Sequence, residues 1–254
     1  MPTIAILCAF GFFASLVDAV AGGGGLIAVP ALFVFLPGLP PPVILATNKF
    51  SSTCGSAAAV SRYAASGSII WNVALPAGIT AILFSILGAG VVSMLDSSVV
   101  RPIIMILLVA VAAYVLLNKE MGAVHELKLA PRRSLALSIV VGAVLGFYEG
   151  FFGPGMGSFL VFILIGMYGF NFLAAAATGR LVNFAATGAA LVYFMATGLV
   201  RYDVALPMAA STIVGGLVGS RLAIQHGGKF IRTLFLVVVA VLLAKLAYDT
   251  FLPR

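Results

Sequence analysis

Asp18-Ala-Val-Ala-Gly-Gly-Gly-Gly25, followed by Ala46-Thr-Asn-Lys49, returns later in the chain as Glu149-Gly-Phe-Phe-Gly-Pro-Gly-Met-Gly157 followed by Ala177-Thr-Gly-Arg180. Glu149 follows Asp18 by 131 residues, and the same offset joins Gly22 to Gly153, Thr47 to Thr178 and Lys49 to Arg180. Outside these stretches it pairs Gly67 with Gly198, Leu75-Pro76 with Leu206-Pro207, Gly88 with Gly219 and Arg101 with Arg232 without a gap. The chain is therefore a duplicated unit. Each copy carries one acid, one glycine-rich break and one base in apolar surroundings.

The setting is a membrane. Of 254 residues, 63% are hydrophobic and 8% charged, whereas a soluble domain carries about 25% charged residues. Apolar runs of helix-spanning length recur from end to end and do not alternate as barrel strands would. The net charge of +7 does not imply nucleic acid, because the bases sit mainly at segment ends and in two loops, as the positive-inside rule expects. Cys8 and Cys54 lie in apolar segments, and His125 and His226 lack a second ligand at metal spacing. No metal, cofactor or catalytic residue is expected. The first apolar run ends in Ala19-Val20-Ala21, which mimics a signal cleavage site. Met1-Pro-Thr3 has no positive charge and the run matches an internal one, so the segment is expected to stay in the mature protein.

Hydropathy and glycine breaks predict segments over 4–20, 26–36, 43–63, 73–95 and 99–117, a loop over 118–133, and then 135–148, 158–167, 172–195, 204–223 and 230–251. The run over 26–36 spans about 16 Å as helix, half of a hydrocarbon core about 30 Å thick. Its glycine break then falls inside the membrane, where irregular backbone must be buried in protein or line a cavity. Whether the broken pair spans or re-enters, each copy makes an odd number of crossings, so the copies should be oppositely oriented. The expected fold is an all-α polytopic membrane protein of two inverted-topology repeats, each a glycine-broken short or re-entrant helix pair plus three long transmembrane helices. Residues 1–117 form the first repeat, 118–133 a cytoplasmic linker and 134–254 the second. Such a pattern points to the binding site of a secondary transporter.

Several motifs carry a family resemblance. Gly22-Gly-Gly-Gly-Leu-Ile-x-x-Pro30, Ala46-Thr-Asn-Lys49 and Gly55-Ser56 resemble the TauE/SafE family of sulfite exporters. Gly146-Phe-Tyr-Glu-Gly-Phe-Phe-Gly-Pro154, Gly169-Phe-Asn171 and Gly219-Ser-Arg-Leu222 are similar to its YfcA-like branch. The resemblance covers essentially the whole chain. It implies a multi-pass protein of the bacterial inner membrane that exports sulfite or an organosulfonate by alternating access. An anion channel and an intramembrane enzyme are the other classes, and nothing in the sequence supports the enzyme.

The residues suit an anion. Lys49 and Arg180 lie about 9 and 12 Å into their spans, and a base at that depth marks a pathway or a pair. They either bind a substrate anion or neutralise Asp18 and Glu149. Those acids sit at helix C-terminal ends, where the helix dipole disfavours them, so they either carry protons or orient the bases. Gly24, Gly25, Gly155 and Gly157 precede short helices whose free N–H groups can hold an anion or allow close packing. Thr47, Asn48, Ser52 and Asn183 are nearby polar candidates. Trp71 and Tyr202 begin matching segments as interfacial anchors. The implied partners are a small anion and the lipid bilayer, with proton coupling and homo-oligomerisation open.

Overall fold

Proline and glycine punctuate the helices. The computed structural model describes residues 2–117 and 129–226, and all its regular elements are helices: α1 (Pro2–Ala21), α2 (Gly25–Phe35), α3 (Pro41–Ala65), α4 (Trp71–Met94), α5 (Ser97–Leu117), α6 (Pro131–Phe151), α7 (Met156–Gly166), α8 (Phe172–Ala196) and α9 (Tyr202–His226). The expected segment over 230–251 lies outside the described residues. Pro41 and Pro131 begin α3 and α6, where a missing N–H does no harm. The 131 offset carries the bounds of α2 onto α7 and those of α3 onto α8, residue for residue.

Several helices begin two to four residues before the apolar runs suggest. Their first turns hold interfacial or polar residues, such as Trp71-Asn72, Ser97-Ser98 and Tyr202-Asp203. Hydropathy does not count such turns as span. For the same reason Arg132 and Arg133, expected in the linker, occupy the first turn of α6.

The architecture is crosswise. α1 packs most extensively on α9, and α4 on α6, so the first helix of each copy lies against the fourth of the other. α3 and α8 run through the middle, in contact with each other and with α9 and α4 respectively. α1, α4, α6, α8 and α9 are long and apolar enough to cross a membrane, and α3 is not among them. Its Ser, Thr, Asn and Lys residues lower its hydropathy, and they are tolerated because much of the helix is buried in protein. Leu75, Ile82, Leu83 and Leu87 of α4 are exposed, as are their counterparts Leu206, Ile213, Val214 and Val218 of α9. These stripes face lipid.

Small residues let the crosswise pairs touch at backbone distance, which is how membrane helices associate closely. A Cβ on Gly150 would meet the Ser85 carbonyl oxygen at 1.9 Å, and one on Gly142 the Ala77 oxygen at 2.2 Å. The symmetry extends to equivalent atoms: a Cβ on Gly88 would meet Phe147 O at 2.2 Å, and one on Gly219 would meet Leu16 O at 2.3 Å. Threonine hydroxyls tie the copies in the same register. Thr178 Oγ1 accepts the Ile70 N–H at 3.0 Å, and Thr47 Oγ1 accepts the Arg201 N–H at 3.2 Å. These contacts are reciprocal under the 131 offset.

Candidate functional site

The two helix breaks meet at the centre. A Cβ on Gly22 would lie 2.1 Å from the Gly157 carbonyl carbon, so backbone rests directly on backbone. Gly22, Gly153 and Gly155 have φ of +73°, +99° and +92°, a region glycine enters without strain. The irregular segments are buried in protein, as a break at membrane depth must be.

Each base reaches the acid of the opposite copy. Lys49 of α3 donates from Nζ to Glu149 Oε1 of α6 at 2.8 Å and to the Glu149 carbonyl at 2.5 Å. Arg180 of α8 donates from Nη1 to Asp18 Oδ2 of α1. The two pairs are counterparts under the 131 offset. Lys49 is 2% exposed, Arg180 3% and Glu149 5%, while Asp18 is partly buried. Arg180 Nε is buried and has no hydrogen-bond partner.

The acids are held differently. Asp18 ends three residues before the close of α1, where the dipole is unfavourable, but its side chain turns to the next helix. Its Oδ1 accepts the N–H of Gly24, the N-cap of α2, at 3.0 Å. A carboxylate of the protein thus sits at the positive end of the short helix. Glu149 Oε1 instead accepts the Thr187 hydroxyl at 2.7 Å, and that hydroxyl lies 3.5 Å from Asn183 Oδ1.

Beside the two acids lies a polar cavity of about 30 Å³, room for about one water molecule; Lys49 and Arg180 stand behind the acids and are not among the residues that line it. Its lining contains four counterpart pairs, Asp18 and Glu149, Gly23 and Pro154, Ser52 and Asn183, and Ser56 and Thr187, so both copies contribute matching residues to it. Asn48, Gly25, Gly155 and Gly157 complete much of the wall, and Gly24 lines a smaller adjoining cavity with Asp18, Asn48 and Ser52. A Cβ on Gly153 would fall 2.6 Å from Lys49 Nζ, so the missing side chain makes room for the ammonium. Thr47 stands apart: its hydroxyl is spent on Val43 O and the Arg201 N–H.

Ser56 and Thr187 belong to this wall and are not among the residues expected from sequence. The signal was available. Lys49, Ser52 and Ser56 fall at i, i+3 and i+7, which is one helix face, and the offset repeats the pattern in Arg180, Asn183 and Thr187.

A family model described as "Sulfite exporter TauE/SafE" matches residues 7–246. The chain belongs to the TauE/SafE family. Among its relatives is a "Probable membrane transporter protein ORF9" of Sinorhizobium sp, 34% identical over 98% of this chain and 94% of the relative. A "Probable membrane transporter protein" of Haemophilus influenzae is 32% identical over 97% of this chain and 95% of its own length. The Escherichia coli K12 "Probable membrane transporter protein YfcA" is 32% identical over 97% and 90%. No solved structure gives a significant match. Family, relatives and apolar helices together make this TauE/SafE protein a multi-pass bacterial membrane transporter, not an enzyme.

Proposed function

We propose that this TauE/SafE protein moves a small sulfur oxyanion or organosulfonate by alternating access around the cavity between its glycine breaks. Lys49 and Arg180 are the anion-binding bases. In the empty carrier, Glu149 occupies Lys49 as an internal substitute for the substrate, while Asp18 holds Arg180. Carboxylate and sulfonate both present paired oxygens to a guanidinium or ammonium, so exchange of one for the other preserves the contacts of the site.

The reciprocal ion pairs, whose acids line a cavity shared by both copies, carry this reading. Buried charges of that kind are expensive in a membrane and normally serve a pathway. Arg180 Nε is buried and unpartnered, a donor left for an oxyanion that enters once the site opens. Two halves rocking against each other would open the cavity to either face in turn, as in transporters built from inverted repeats. A cavity with room for about one water also requires the Lys49–Glu149 pair to part before a larger anion enters.

The test is counterflow in proteoliposomes with sulfite, thiosulfate, sulfoacetate and taurine as separate probes. Saturable exchange of one or more anions is the expected result. Flux that is unsaturable and shows no exchange would replace the carrier with a channel. No anion movement in reconstituted, folded protein would reject the site.

A further inference from the structure

We propose that anion binding at Lys49 and protonation of Glu149 are one coupled event, so that Glu149 is the proton carrier and Asp18 a fixed counter-ion. This inference rests on the reading of the cavity as an anion site.

Charge balance comes first. Lys49, Arg180, Asp18 and Glu149 sum to zero in the empty carrier. A monovalent anion that displaces Glu149 from Lys49 leaves a second negative charge in the same buried space. An unpaired carboxylate is among the costliest groups to hold there. If Glu149 takes one proton from water as the anion arrives, the loaded carrier is again neutral. Nothing else is consumed: the proton enters and leaves with the anion, and no covalent bond to the substrate forms.

The other charged groups around Glu149 do not offer this exchange. α3 contributes Lys49, α1 contributes Asp18 across the cavity and α8 contributes Arg180. α4 and α7 carry no charged residue in their sequences. Arg180 keeps its proton under all ordinary conditions.

Partner chemistry separates the two acids. Asp18 is held by a backbone N–H and a guanidinium, and both can only donate. Neither partner could accept a proton from either oxygen. Glu149 is held by an ammonium, which the substrate takes over, and by a hydroxyl. A hydroxyl donates or accepts with equal ease. When Glu149 is protonated, Thr187 Oγ1 can accept from it and turn its own hydrogen toward Asn183 Oδ1, 3.5 Å away. The neutral acid is thereby satisfied where it stands. Asp18 has no such arrangement.

The experiment uses the full chain in proteoliposomes with isethionate, a monovalent sulfonate with no titratable group near neutrality, and a trapped pH dye. Isethionate exchange is measured beside net isethionate flux and proton movement. The wild-type protein is expected to move one proton with each isethionate and to ignore an imposed membrane potential. In Glu149→Gln the empty carrier keeps an extra positive charge and cannot return neutral. Net flux should then fall relative to exchange by about tenfold or more, and the remainder should respond to potential. Asp18→Asn should depress exchange and net flux together. Glu149→Gln can also lower folding yield, so the wild-type ratio decides by itself. Isethionate movement without protons, or electrogenic net flux, overturns the coupling and leaves the anion site intact. Failure of isethionate to exchange, with sulfite and thiosulfate also inert, overturns the anion site and the coupling with it.

Discussion

Two glycines of α4, two positions apart, should respond oppositely to the same substitution. A Cβ on Gly88 would lie 2.2 Å from Phe147 O, 2.7 Å from Phe151 N and 3.1 Å from the Phe147 carbonyl carbon. All three are backbone atoms of α6, which no rotamer change can move. To reach an ordinary separation of 3.4 Å, α4 and α6 must part by about 1.2 Å at that level, the difference between 3.4 and 2.2 Å. A Cβ on Gly90 meets only the Tyr193 side chain, at 3.8 Å or more. Either change gains up to about 1 kcal/mol of helix propensity. Gly90→Ala should keep that gain, whereas Gly88→Ala should lose about 1–3 kcal/mol to overpacking. A gap of about 2 kcal/mol corresponds to about 4–8 °C in melting temperature for a protein of this size. Thermal aggregation of the purified variants in detergent, followed by size-exclusion chromatography, measures it. The displacement also moves the segment of α6 that carries Glu149, so net transport should fall in Gly88→Ala. Equal melting of the two variants would refute the backbone contact of α4 with α6.

Three further outcomes are expected. In a background lacking Cys8 and Cys54, Ser66→Cys and Thr197→Cys, which are counterparts at the exposed ends of α3 and α8, should be labelled from opposite sides of the membrane; labelling from one side would refute inversion. Lys49→Ala and Arg180→Ala, if folded, should each weaken anion binding in calorimetry by about 2 kcal/mol or more, because charge-assisted contacts in a dry site are strong. Arg180→Lys should be impaired as well, since an ammonium cannot reproduce the planar fork. Thr47→Val and Thr178→Val should each lower stability by about 1–3 kcal/mol, the range for a backbone donor left unsatisfied, and unequal losses would argue against the symmetric hooks.

Much of the fold is legible because duplication turns one chain into two readings of a single pattern. The glycine runs and the 131 offset place α2 and α7 before any coordinate is known. Composition is enough to find the lipid-facing helices, but it understates α3, whose polar residues are spent inside the protein. The four charged residues of the site are legible too, since a base or acid deep in an apolar run needs a reason. Their partners are not. Nothing in the 31-residue separation of Asp18 and Lys49 says that each turns to the other copy, because that choice is made by helix packing over 100 residues or more. Hydroxyls are harder still. Thr187 looks like many Ser and Thr residues in these helices until Glu149 is placed 2.7 Å away. The role of Asp18 at the α2 N-terminus depends on a chain reversal at Gly22 and Gly23, which sequence marks only as a break.

The crosswise pairing of α1 with α9 sets a timetable for the ribosome. When Ala21 has been added, another 180 residues must follow before Tyr202 begins the helix that covers α1. At about 5–20 residues per second, that interval runs from roughly ten seconds to more than half a minute. Asp18 has no Arg180 for most of that time, and the close-packing face of α1 has only lipid, the translocation machinery or another nascent chain to lie against. Among the described helices, α1 is one of the last to gain its main partner. A mutation in α1 that is silent in the mature carrier could still reduce its abundance by making that wait longer or less well protected.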